Sequence, residues 1–193
     1  MTTIPTPPVA LSQVGRAAHD LGLAGLLGGN LFGRMALHPA VAGISDPRER
    51  GEVVNAAWRR YGIVNTLGLG AVTVGWVGAR AAEASDRYLS PRERRLARCK
   101  DVLVAAVFAC GVASAVEGVR FAREAPGGAV PLADGSHPGP DTPPHAAALK
   151  RRLNVLGAMT LAAEAGLVAV NSALAQEGFR RPSARRRLPA LRR

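Results

Sequence analysis

Four stretches of this chain carry almost no charge, and basic or turn-forming segments separate them. Residues 61–79 contain no Asp, Glu, Lys or Arg. Residues 102–119 contain one acid, Glu117, and residues 153–175 contain one, Glu164. Residues 21–37 contain one base, Arg34. An apolar run of about 20 residues matches, as a helix, a hydrocarbon core of about 30 Å. A soluble amphipathic helix would place charges along one face of each stretch. The pattern therefore predicts an all-α fold, a four-transmembrane-helix bundle. Its expected spans are residues 17–37, 61–79, 102–121 and 153–175. Gly, Ala and Val fill these spans in place of Leu and Phe, which makes the first the least hydrophobic.

Turn signals set the expected ends. The first helix is read from Val14 to Leu37, with Pro39 just beyond. Asp46-Pro47 marks a turn or a helix start, and the second helix is placed from about Val54 to Glu83. Ser90 is a candidate N-cap with Pro91 at the first helical position, and this third helix is expected to end near Ala125. Residues 126–144 hold six prolines and four glycines, which predicts a flexible loop over residues 126–145. The fourth helix is expected from Ala146 to Gly178, stopped by Pro182. Residues 1–13 are Pro- and Thr-rich and read as a disordered tail. Residues 179–193 read as a basic C-terminal tail, leaving 14–178 as the membrane domain. The N-terminus lacks the basic start of a signal peptide.

Charge adds direction. The chain of 193 residues has 25 Lys plus Arg against 14 Asp plus Glu, a formal net charge of +11. Fifteen of the basic residues fall on the side of the two termini and ten on the other side. Basic residues favour the cytoplasmic side, so the expected location is the plasma (inner) membrane, multi-pass, with both termini cytoplasmic. Trp58 and Trp76 flank the second span and are read as interfacial anchors, with Tyr61 beside the first. Seven arginines crowd residues 180–193. This tail has no aromatic residue to stack on bases. Arg185, Arg186 and Arg187 are therefore read as contacts to anionic lipid head groups, and no nucleic-acid partner is expected.

Small residues at four-residue spacing offer lines of close helix packing. Gly25, Gly29 and Gly33 form the most specific one. Ala71, Gly75 and Ala79, then Ala105, Ala109 and Ala113, then Ala158, Ala162 and Gly166 form the others. They serve bundle packing or contact with a membrane-protein partner, including a second copy of this chain. Cys99 and Cys110 share one helix, which keeps them from pairing with each other.

An ionisable group inside a span is costly and marks a site by default. Glu164 lies halfway along the fourth span, at the depth of Asn30, Thr73, Cys110 and Ser114. It is read as a proton- or substrate-binding carboxyl, or as a group that hydrogen-bonds Asn30 and ties the bundle. Glu117 and Arg34 lie near the same end of their spans and are paired or separately hydrated. Asp20 and Asn171 fall at a common depth near the other end, where a contact is expected. His19 and His38 are too far apart on one helix to hold a haem together, and His137 and His145 sit in the loop without metal spacing. No nucleotide or nucleophile motif is present. No catalytic residues, metal site or cofactor are assigned. The leading functional reading is a structural, accessory or assembly role in the membrane. The alternative is a proton-coupled carrier, or a membrane-embedded enzyme for a small solute, built on Glu164. A soluble helical nucleic-acid binder is the third reading, and the uncharged run 61–79 argues against it.

Overall fold

The computed structural model describes residues 7–82 and 84–180. Its architecture is all-α, with four long helices. Helix α1 (Pro7–Phe32) runs on through a π-helical turn (Gly33–Leu37), a one-turn helix (His38–Ala40) and a 3₁₀ turn (Val41–Gly43). Helices α2 (Pro47–Ala81), α3 (Pro91–Ala122) and α4 (Pro144–Arg180) follow. The chain goes up, down, up and down. One end of the bundle carries the start of α1, the end of α4 and the short α2–α3 link. The other carries the long α3–α4 connection.

Helix starts follow local chemistry. Asp46 accepts from the Arg48 N–H at 2.9 Å, with Pro47 at the first turn. This moves the start of α2 back to Pro47, seven residues before the expected Val54, because Asp46-Pro47 is the cap itself. Ser90 and Glu93 form a reciprocal capping box. The Ser90 hydroxyl takes the Glu93 N–H, and the Glu93 carboxylate takes the Ser90 N–H at 2.8 Å. That arrangement satisfies two of the donors a helix start leaves open. Helix is already present at Pro7, so residues 7–13 are not an irregular tail. Residues 1–6, Glu83 and residues 181–193, including Pro182 and Arg185, Arg186 and Arg187, lie outside the described residues.

The helices pack as two antiparallel pairs, α1 with α2 and α3 with α4, and the pairs meet more sparingly. The α1–α2 contact is closest where both backbones lack side chains. A Cβ on Gly22 would come within 3.0 Å of the Gly68 carbonyl oxygen, and one on Gly75 within 2.8 Å of the Gly15 carbonyl oxygen. The line Gly25, Gly29 and Gly33 has a different use. Gly29 receives the Tyr61 ring and Gly33 the Trp58 ring. Trp58 and Tyr61 thus pack onto α1, and Trp76 is buried in the core, where interfacial positions had been expected. Each polar tip finds an internal partner, which lets the ring go inside.

Toward the end bearing the termini, Leu23, Leu26, Leu69, Val72, Val104, Val107 and Leu167 make a dry core. A second, smaller cluster at the opposite end joins Phe121, Val130, Leu132, Ala146 and Leu149. Val130 and Leu132 belong to the Pro/Gly-rich connection, and both are fully buried. That connection is a docked cap, not the loose loop its composition predicts. Its backbone bonds α2 through Leu132 N–H to the Pro47 carbonyl (3.0 Å) and α1 through Gly135 N–H to the His38 carbonyl (3.0 Å). Arg50 donates to the Ile44, Leu132 and Ala133 carbonyls. Gly51 leaves room for Val130, whose carbonyl would collide with any Cβ there.

Helices α2, α3 and α4 are long and apolar enough to cross a membrane. Helix α1 falls short of them in hydropathy, as its glycines and its His19-Asp20 pair require. Much of the aliphatic surface points outward: Leu21, Ile63, Val74, Val102 and Val155 are all mostly exposed.

Candidate functional site

Glu164 is fully buried on α4. The Asn30 side-chain amide, on α1, donates to its two oxygens at 2.9 and 3.0 Å. This contact ties the first helix to the last, across the seam between the two pairs. Both carboxyl oxygens are thereby engaged, and an internal polar contact of this kind offsets the cost of holding the group away from water.

Above this pair, toward the capped end, the two helix pairs separate around a cavity of about 530 Å³. Asn30 lies on its floor with Asn65 and Ser114, and Trp58 and Tyr61 form part of one wall. The Tyr61 hydroxyl donates to the Gly25 and Leu26 carbonyls, each at 3.1 Å. One cation comes from each helix or its extension: Arg34, Arg59, Arg123 and Lys150. Among the described residues, no acidic side chain lines the space. Valine, leucine, alanine and phenylalanine side chains supply much of the remaining wall.

The upper rim is a hydrogen-bonded chain that links the extension of α1, helices α2 and α4, and the α3–α4 connection. Arg34, inside the π turn, donates to the Asn154 carbonyl at 2.7 Å. The Asn154 amide donates to the Ser136 carbonyl at 2.6 Å. The Ser136 hydroxyl bonds His38 Nδ1 at 2.9 Å, and His38 Nε2 accepts from the Trp58 indole at 3.1 Å. An accepting Nε2 is unprotonated, so the ring is the neutral Nδ1–H tautomer and Ser136 accepts. Burial, then the nearby Lys150 and Arg34 cations, push His38 down to about 4, against the pull of Asp134. Asp134 itself stays below the ordinary carboxylate value. Burial opposes its charge, but bonds from the His137 ring and from the Ser136 and His137 N–H groups outweigh it.

The other residues expected at a site separate into two places. Arg34 and Glu117 do not pair with each other. Arg34 is held by Asn154, and Glu117 binds Arg120 one turn along α3 at 2.9 Å. The i,i+3 spacing on one helix puts Arg120 nearer than any partner across the bundle. Asp20 and Asn171 do meet, at 3.4 Å, at the end bearing the termini. They lie far from Glu164 along the helices and form no common site with it. His137 and His145 each bond an acid, Asp134 and Glu124, instead of converging. Lys150, Asn154, Tyr61 and His38 were not read as site residues from the sequence. The sequence does carry one signal, a recurrence of Arg-Arg followed by Asn before the second and fourth spans, at Arg59-Arg60 with Asn65 and at Arg151-Arg152 with Asn154. Its asparagines, Asn65 and Asn154, both line the cavity.

No protein-family model, curated protein or solved structure matches this chain.

Proposed function

We propose that the chain is a four-span integral protein of the plasma membrane, with both termini cytoplasmic, and that its role is structural or accessory. The observation that carries this reading is the outward belt of aliphatic side chains on the long helices. Leu21, Phe32 and Met35 give α1 the same exposed apolar surface as the other helices, which supports counting it as the fourth span. Such a surface has no favourable place in water. The Asn30–Glu164 contact supports the accessory reading, because it satisfies the carboxyl inside the bundle.

Alkaline carbonate washing of membranes tests residence: the chain is expected to stay in the pellet until detergent is added. Release by carbonate alone would refute it. Orientation is checked separately at Cys99, which is exposed near the end bearing the termini. A membrane-impermeant maleimide is expected to label it in inverted vesicles and not in intact cells.

One observation favours the carrier reading as second choice. Asn30 both lines the cavity and holds Glu164, so a cavity occupant would compete for the donor on the carboxyl. Glu164→Gln separates the two. A structural role keeps most of the folded, membrane-inserted protein, whereas proton-coupled movement of a solute would be abolished.

A further inference from the structure

Lys150 is 4% exposed, lines the cavity, and makes no hydrogen bond or ion pair with another described residue. The Phe121 ring lies 5.7 Å from the ammonium. Asp134 acts on this ammonium through space but forms no ion pair with it, so the cost of dehydrating the charge is only partly returned. The Ser114 hydroxyl on the cavity floor is also buried without a hydrogen-bond partner. Three arginines face the same space, and no carboxylate of the described residues does. The walls between the cationic rim and the amide floor are chiefly apolar. A volume of about 530 Å³ falls within the ordinary range of small-molecule sites, roughly 300–1,000 Å³.

We infer that this cavity is a binding site for an anionic amphiphile, a phosphate or carboxylate head on an apolar body. The head sits between Lys150 and the arginines at the capped end. The apolar body lies along Val119, Phe121 and Leu153. The Ser114 hydroxyl and the Asn65 amide meet whatever polar atoms the lower end carries. The head can belong to a membrane lipid, whose tails leave between the helix pairs, or to a soluble organic anion. The chemistry at Lys150 is the same for both. The inference rests on the membrane reading only for the lipid source. Failure of that reading would show as carbonate release, while failure here would show as absent binding by a folded protein.

The test uses the full chain, purified in a neutral detergent, with its thermal unfolding midpoint followed during titration. Octyl phosphate is expected to raise the midpoint in a saturable way. Octyl glucoside, its neutral counterpart, and inorganic phosphate are expected to be at least tenfold less effective. Lys150→Gln is expected to weaken octyl phosphate about tenfold or more, the usual worth of a hydrogen bond to a charged group. Arg59→Gln guards against a folding defect: Arg59 is exposed at the cavity mouth and its loss should weaken binding several-fold. Arg87→Gln, at the opposite end, removes the same charge and is expected to leave affinity unchanged. Equal shifts with octyl phosphate and octyl glucoside would overturn the anionic head. Equal shifts with inorganic phosphate would overturn the apolar body. An Arg87→Gln loss equal to that of Lys150→Gln would reduce the effect to net charge and overturn the site. Native mass spectrometry then separates the sources. Retained phosphatidylglycerol that octyl phosphate displaces identifies a lipid, and binding of octyl phosphate with no retained lipid identifies a soluble anion. Neither ligand bound would refute the inference.

Discussion

The chain has two lysines, Lys100 and Lys150, and both are buried, one toward each end of the bundle. Lys100 stands 4.2 Å above the Trp76 ring, and the Trp76 indole donates to Asp101 at 2.8 Å. Asp101 also binds Arg80 at 3.2 Å, and Arg80 reaches Asp86 at 2.9 Å across the α2–α3 link. The Arg80 hydrogen bond holds the half-exposed Asp86 below the ordinary carboxylate value. Charge there is answered by aromatic and acidic neighbours, and the helices close over a dry core. Lys150 has a more distant phenylalanine, a weaker partner than tryptophan for a cation, and an open cavity in front of it. The same residue type is thus part of the packing at one end and, at the other, a donor that faces a cavity and has Asp134 only at a distance. What distinguishes the two ends is whether acids and aromatic rings pack among the cations or a cavity opens in front of them, a feature the average charge of the chain conceals.

Removing the cap should erase this difference most completely. Gly51→Ala drives a methyl group into the Val130 carbonyl, backbone against backbone, where no rotamer change gives relief. Overpacking of this kind costs about 1–3 kcal/mol and more where nothing can move. The expected result is a lower unfolding midpoint and new protease cleavage within residues 126–145. Gly78→Ala, where an added Cβ meets nothing within 4 Å, serves as the comparison and should be neutral or mildly stabilising. Wild-type protection in both variants would mean that the cap is not docked through Gly51.

The pH response should also be strongest at the capped end. His38 is held neutral, with its value lowered from 6.5 to about 4. In the unfolded chain it would bind a proton below 6.5. The stability tied to its neutral form is therefore fully present above pH 6.5. It is lost as the pH falls from 6.5 toward 4, by up to about 3 kcal/mol for a shift of that size. The facing groups are Lys150, Arg34 and Asp134. Protonation would also end acceptance from the Trp58 indole. Acidification in detergent is expected to lower the unfolding midpoint and change Trp58 emission. His38→Asn should flatten both responses over that interval. An unchanged acid profile in His38→Asn would place the sensitivity elsewhere.

The four helices were legible because long uncharged runs and the Asp46 and Ser90 caps are local signals. The docked cap was not, because proline and glycine look alike in a loose loop and in a turn fitted against Gly51. Glu164 and Asn30 drew attention through their depth alone, and their contact followed from a shared level along the helices. Lys150 escaped notice because it sits just before an apolar span, where a base ordinarily faces water. Beside it on α4, Ala146 and Leu149 pack with Val130 and Leu132 of the cap, a docking that no periodicity encodes. The aromatic residues misled for a similar reason. Trp58 and Tyr61 have the position of interfacial anchors, but Gly33 and Gly29 on α1 provide the surface that draws them inward.

The Asn30–Glu164 contact lies between the two ends and belongs to neither pattern. Asn30→Ala leaves the buried carboxyl without its donor, a loss of roughly 1–3 kcal/mol for a stranded group. Interhelical bonds inside membranes average nearer 0.6 kcal/mol, so a value at the lower end is expected. A double-mutant cycle with Glu164→Gln measures the coupling, and a coupling of zero would mean that the two side chains do not hold the pairs together.

Asn171→Ala is expected to have the smallest effect. At 3.4 Å its bond to Asp20 is long, and Asp20 is mostly exposed and also bonded to His19 at 3.0 Å. Water can replace the lost donor on that carboxylate, so the change should stay within about 0.5 kcal/mol. The deletion also removes the Asn171 Oδ1 atom, which is buried without a partner, and that relief offsets part of the loss. Substitution at an interhelical polar contact is thus expected to matter at Asn30, where the acceptor is sealed from water, and hardly at Asn171, where it is not. Equal losses at the two sites would show that access to water is not what separates them, and that Asp20 depends on Asn171 as Glu164 does on Asn30.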